Sequence, residues 1–206
     1  EAIINANNDA ATHADCPAGS GADTIVLPPN ANMTLTVVRD NTFGPAGLPL
    51  ITSPITIQGN GATIARQENA PAFRLIAVNN SGDLMLQNLT LSGGYAFNGN
   101  GGGVYNHGGV LTIQNSVISQ NRSRGVSNYA TGRGGGVSNH SGIIAIEKSS
   151  IAANVASTDG GGLNNLLGTI TITDSTVSGN SASFGGGVNS FFGSLSIENS
   201  NISENR

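Results

Sequence analysis

A four-residue block, Gly101-Gly-Gly-Val104, returns at residues 134–137, 160–163 and 185–188, in steps of 33, 26 and 25 residues. A second block keeps the same steps: Leu111-Thr-Ile-Gln-Asn-Ser116, Ile144-Ala-Ile-Glu-Lys-Ser149, Ile170-Thr-Ile-Thr-Asp-Ser175 and Leu195-Ser-Ile-Glu-Asn-Ser200. A fixed period constrains the fold more than any local feature, because every unit must meet its neighbours in the same way. Degenerate copies at residues 84–91, 55–64 and 24–27 bring the total to about seven units.

Within a unit, aliphatic and polar residues alternate, Leu111 and Ile113 against Thr112 and Gln114, and a period of two means strand. A repeat of about 25 residues, with glycine or asparagine between three short strands, suits a coil that closes above itself and stacks equivalent residues about 4.8 Å apart. The expected fold is therefore all-β: a right-handed parallel β-helix with three short strands per coil, in one domain. The predicted inward columns are Val104/Val137/Leu163/Val188, Leu111/Ile144/Ile170/Leu195, Ile113/Ile146/Ile172/Ile197 and Ile118/Ile151/Val177/Ile202. Asn121, Asn154, Asn180 and Asn205 fall at one corner, with Ser116, Ser149, Ser175 and Ser200 five residues earlier. They are expected to form an amide ladder that holds the turns. The glycine triplets read as tight turns and not as a phosphate loop, since no Lys-Ser/Thr follows them. Residues 1–23 stand apart as a cap and irregular segment before the coils of 24–206, with Ala2, Ile3 and Ala6 on one face of a short capping helix.

Composition excludes several classes. Only 10% of the residues are charged, against about 25% in ordinary soluble domains, and Gly contributes 30 of 206. A net charge of −4 offers no basic field for nucleic acid, so no nucleic-acid partner is expected. No apolar run approaches the ~18 residues of a membrane span. Cys16, the one cysteine, allows neither an internal disulfide nor a multi-cysteine metal cluster. The chain opens on Glu1 without Met, which predicts that upstream residues are missing.

The opening Glu1-Ala-Ile-Ile-Asn-Ala-Asn-Asn8, followed by Cys16-Pro-Ala-Gly-Ser-Gly-Ala-Asp-Thr-Ile-Val-Leu27, resembles the start of bacterial surface proteins named for a Cys-Ser-Leu-Arg-Glu-Ala motif, of which Glu1 and Ala2 supply the last two residues. The Gly-Gly-Gly-Val-x-Asn and Ile-x-x-Ser-x-Ile-Ser-x-Asn patterns are similar to the right-handed β-helix repeats of those proteins and of autotransporter-like and polymorphic outer-membrane adhesins. This resemblance covers almost the whole chain and implies export to a bacterial cell surface or the extracellular space. It supplies no catalytic residue, and it implies the motif's missing cysteine as a partner for Cys16.

β-Helices also serve as polysaccharide lyases and hydrolases, which need clustered carboxylates. The best acidic group here is Glu147, Asp174 and Glu198, with Lys148 beside it. In the repeat frame Glu147 and Glu198 share an outward column with Thr173 between them, about 9–10 Å apart at two coil spacings. That lies near the separation of about 6.5–9.5 Å in inverting glycosidases. No arginine shares those columns, and a surface ion pair between Lys148 and Asp174 accounts for the group. His107 and His140 occupy one repeat position, but the column continues as Leu166 and Phe191, which leaves two ligands and no metal site. His13 has no evident partner.

Two features remain for binding. The 33-residue unit holds an insertion of about seven residues, and its loop, residues 122–133, carries Arg122, Arg124, Tyr129 and Arg133, suited to an anionic glycan or a protein. Leu166-Leu167 and Phe191-Phe192 stack large apolar residues where earlier coils have His107-Gly108 and His140-Ser141, a contact surface if exposed. The sequence thus predicts a non-catalytic, adhesin-like or structural surface scaffold without cofactor or metal. Its expected partners are a glycan or protein on a surface, or copies of itself joined head to tail. The alternative is a polysaccharide-active enzyme of the pectate-lyase-like type.

Overall fold

A computed structural model of the chain describes residues 1–126 and 131–206. The strands run parallel and stack into about six turns of β-helix, preceded by one short helix. Three sheets form the walls, of twelve, five and three strands. One middle coil shows the path. Val137–His140 lies in the five-stranded sheet, and Ile143–Glu147 and Ser150–Ala152 both lie in the large sheet on either side of a bend. Val155–Ala156 then crosses the small sheet and leads back to the next glycine triplet.

The register follows the repeat. Val137 pairs with Val104 and Leu163, Ile144 with Leu111 and Ile170, Ile146 with Ile113 and Ile172, and Ile151 with Ile118 and Val177. All twelve of these side chains are fully buried, each worth about 1.5–3 kcal/mol of apolar burial. The fourth coil completes the columns with Val188, Leu195, Ile197 and Ile202, and there the last three are exposed.

The corners are held by side chains. Asn154 Nδ2 donates to Ile118 O (2.9 Å) and to Asn180 Oδ1 (3.0 Å), while its own Oδ1 accepts from Asn121 N and Nδ2. Asn180 repeats the pattern against Asn205. Ser149 and Ser175 Oγ each accept from the amide of the serine one coil earlier and donate to carbonyls. A second ladder, Asn106–Asn139–Asn165, runs inside the opposite corner, each Nδ2 donating to the next Oδ1 at 3.0 Å. Its sign in the sequence was the asparagine two places after each of the first three glycine blocks, Ser190 standing at that place after the fourth. Buried amides are affordable here because nearly every donor and acceptor is matched, an orphan costing about 1–3 kcal/mol. Coil spacing also sets the glycines: a Cβ on Gly135 would run into the Gly161 carbonyl of the next coil.

The helix Ala2–Asn8 covers the first coil, burying Ile3 and Ala6 against the aliphatic core and ending at Asp9 in a left-handed conformation (φ 49°). Asn5 Nδ2 donates to the carbonyls of His13, Cys16 and Pro17, which ties the irregular segment to the helix.

Two expectations are corrected. Arg122–Arg124 is not loop but strand, paired with Tyr95–Phe97 on one side and Val155–Ala156 on the other. Backbone pairing to two neighbours decides its conformation, and alternation survives with Ser123 buried between two exposed arginines. Lys148 and Asp174 do occupy equivalent left-handed turn positions on adjacent coils (φ 47° and 51°), yet they form no ion pair. Among the described residues the ion pair is Arg133–Asp159.

Candidate functional site

The outer face of the five-stranded sheet carries three columns set by the coil register. Tyr105, Ser138, Asn164 and Asn189 form one, and His107, His140, Leu166 and Phe191 the next. Asn100, Arg133, Asp159 and Phe184, each preceding the first glycine of its coil, form the third. A groove lies between them on the last coils, about 290 Å³, lined by Arg133, Asp159, Asn164, Leu166, Phe184, Asn189 and Phe191.

Its floor is amide. Asn164 is only 2% exposed, its Oδ1 accepts from Asn189 Nδ2 (3.2 Å), and its Nδ2 reaches Ser138 Oγ at 3.5 Å. One rim is the ion pair, in which Arg133 Nε donates to Asp159 Oδ2 at 2.9 Å, both side chains about one-fifth exposed. The bulky apolar rim residues Phe184 and Phe191 stand largely in solvent. Leu167 and Phe192 follow in left-handed turns (φ 61° and 55°) and are exposed, Phe192 by 79%. Bulky residues seldom take that conformation, and it costs about 1–3 kcal/mol.

Toward the N-terminal side the same face is filled. Phe43 stacks on His107 (4.5 Å between centroids), His107 meets His140 edge to face (5.1 Å), and Tyr105 Oη lies 3.4 Å from His140 Nδ1. Beneath Tyr105 sits Arg74, 2% exposed, donating from Nε to Asn100 O and from a terminal nitrogen to the carbonyls of Phe43 and Gly44. Burial pulls its guanidinium down to about 10, opposed by Tyr105 and Asp40, so it stays charged at neutral pH. Burial also pushes the Tyr105 hydroxyl up, against the pull of Arg74. The His140 imidazole is held below its ordinary value by burial, then by His107 and Arg133.

Of the residues singled out in the sequence, Arg133, Leu166 and Phe191 come together in this groove. Leu167 and Phe192 sit in the turns after the far column, while Arg122 lies over the Tyr95 ring (5.5 Å) and Arg124 pairs beside Phe97, both in the three-stranded sheet. Tyr129 lies outside the described residues. Asp159, Asn164, Phe184 and Asn189 were missed. Their positions follow from the repeat register, but each column changes chemistry from coil to coil, so no recurring residue type marks them.

The acidic column is dispersed by comparison. Glu147 pairs in register with Gln114 and Thr173, and Thr173 with Glu198, so a threonine separates the carboxylates. Glu147 Oε2 accepts from Gln114 Nε2 (3.1 Å). At the N-terminal cap, Glu1, Asp15 and Cys16 bring one potential metal-ligand atom each within 4.8 Å of one another, all exposed or half-buried, and Cys16 is unpaired. A hydrogen bond with Glu1 is the main cause holding the Asp15 carboxyl below its ordinary value. Among the described residues no helix is long and apolar enough to cross a membrane.

Comparison with family models, with curated proteins and with solved structures finds no match.

Proposed function

We propose that the chain is a non-catalytic, adhesin-like β-helix scaffold of the bacterial cell surface or extracellular space, binding its partner through the groove on the five-stranded sheet. The observation that carries this reading is the pairing of the groove's charged groups. Asp159 is held by Arg133 at 2.9 Å, an arrangement that orients a ligand but offers neither a poised acid nor a poised base. Exposed Phe191, at the end of its strand, and exposed Phe192, in the left-handed turn that follows, support a contact surface at the groove's edge. The exported setting rests on the family resemblance of the N-terminal segment and the repeats. Assembly of copies head to tail, the first coil of one meeting the last coil of the next, is part of this proposal, and the helix Ala2–Asn8 lies over the first coil. Head-to-tail stacking would need that helix to move aside.

A polysaccharide-active enzyme is the competing reading, favoured by the shared outward column of Glu147 and Glu198. Pectins, alginates and neutral glycans incubated with the protein, with and without calcium, are expected to stay intact. Cleavage that disappears in Glu147→Gln or Glu198→Gln would overturn the non-catalytic reading.

A further inference from the structure

We infer that the groove on the five-stranded sheet takes a neutral sugar ring of a glycan, an inference that rests on its being the binding site of the scaffold. The ligand class follows from what the groove leaves unsatisfied. Arg133 bonds to Asp159 through Nε, so its terminal nitrogens and Asp159 Oδ1 have no hydrogen-bond partner among the described residues. Fixed donors stand beside a fixed acceptor. Neighbouring hydroxyls, each able to donate and accept, match that pair, whereas a lone anion would meet the Asp159 carboxylate and a lone cation the guanidinium.

The floor repeats the same logic without charge. Asn189 spends its Nδ2 on nearly buried Asn164 and keeps its Oδ1 free among the described residues, an acceptor on a residue that lines the groove. Phe184 and Phe191 flank it as exposed apolar walls against which the C–H face of a pyranose loses water while its edge hydroxyls reach the amide and the ion pair. At about 290 Å³ the groove sits at the small end of ligand sites, typically about 300–1,000 Å³, the size for a ring and not for a folded partner. Strand addition by a peptide would use the free edge of Val188–Phe191, which pairs on one side, and not the sheet face on which the groove lies. Arg133, neutralised by Asp159, gives this groove no net positive charge for an anionic glycan, and Arg122 and Arg124 lie in the three-stranded sheet.

The test is titration calorimetry of the full chain with cellotetraose, maltotetraose, mannotetraose and chitotetraose, and with tetragalacturonate as the anionic counterpart. At least one neutral tetrasaccharide is expected to bind, with affinity lowered tenfold or more in Phe184→Ala and Phe191→Ala and unchanged in Phe97→Ala, an exposed aromatic of the small sheet. Unaltered thermal melting of the variants separates loss of contact from loss of fold. Binding of tetragalacturonate alone, binding of none of the five, or binding that survives both groove substitutions overturns the inference. Cleavage of a bound neutral sugar would overturn the non-catalytic reading and leave the sugar site standing. Attachment to cells without affinity for any of the four neutral probes would do the reverse.

Discussion

Ile172 and Ile197 occupy the same position of the repeat on adjacent coils and differ only in what lies above them. Ile172 is sandwiched between Ile146 and Ile197 and is fully buried, whereas Ile197 has a neighbour on one side and is 42% exposed. The same contrast holds for Asn154 and Asn205. Asn154 both receives from the coil before and donates to the coil after, while Asn205 accepts from Asn180 and donates to Val177 O. A coil of this chain does not own its core. Its stability is a nearest-neighbour property, in the manner of linear repeat proteins, so identical sequence acquires different energetic weight by position alone.

The contrast is sharpest for a buried charge. Ile172→Asp is expected to cost roughly 5 kcal/mol and to unfold the central coils, while Ile197→Asp costs about 1 kcal/mol, read from urea unfolding monitored by circular dichroism. Equal losses would break the comparison. The asparagine pair comes next. Asn154→Ala strands the amide of Asn121 and the carbonyl of Ile118, for about 2–4 kcal/mol, and Asn205→Ala is expected to lose about half as much. The same urea unfolding checks it. For the serine column, Ser149→Ala removes the acceptor for Ser116 N, about 1–2 kcal/mol, against less than about 1 kcal/mol for Ser200→Ala.

These predictions are available because the register was legible. Leu111, Ile144 and Ile170 with their 33- and 26-residue steps place the aliphatic inward columns of the coils, and Asn121 to Asn205 announce the ladder at one corner. What the repeat does not encode was not readable. Phe43 and Arg74 sit outside the repeated blocks, and nothing local foretells that a lone arginine will be capped by the carbonyls of Phe43, Gly44 and Asn100. Arg122–Arg124 looked like loop because it opens the insertion of the 33-residue unit, whereas its strand is dictated by the neighbours it pairs with. The groove was half visible. Phe191 and Leu166 stood out as apolar substitutions in a histidine column, but Asp159 and Phe184 gained meaning only once Arg133 and Asn189 were seen beside them.

The smallest expected effect concerns pH. The folded-state value of His140 lies below its ordinary one, because burial and the neighbouring His107 and Arg133 disfavour the imidazolium. Such a group contributes most above its unfolded value, about 6.5, and its contribution declines as pH falls through that region, where the unfolded chain takes up the proton more readily. Thermal melting between pH 8 and pH 5 should therefore show a decline that is shallower in His140→Gln.

Residue-resolved hydrogen exchange under native conditions tests the nearest-neighbour account most directly. The amides of Thr169 and Thr176, which donate to Gly142 O and Ser149 O, are expected to exchange only with global unfolding and to share one protection factor, while those of Ser194 and Asn201, which donate to Gly168 O and Ser175 O, exchange orders of magnitude faster through local opening. Protection in the last coil equal to that of the central coils would contradict the account, because it would mean that a coil with one neighbour is as stable as a coil with two.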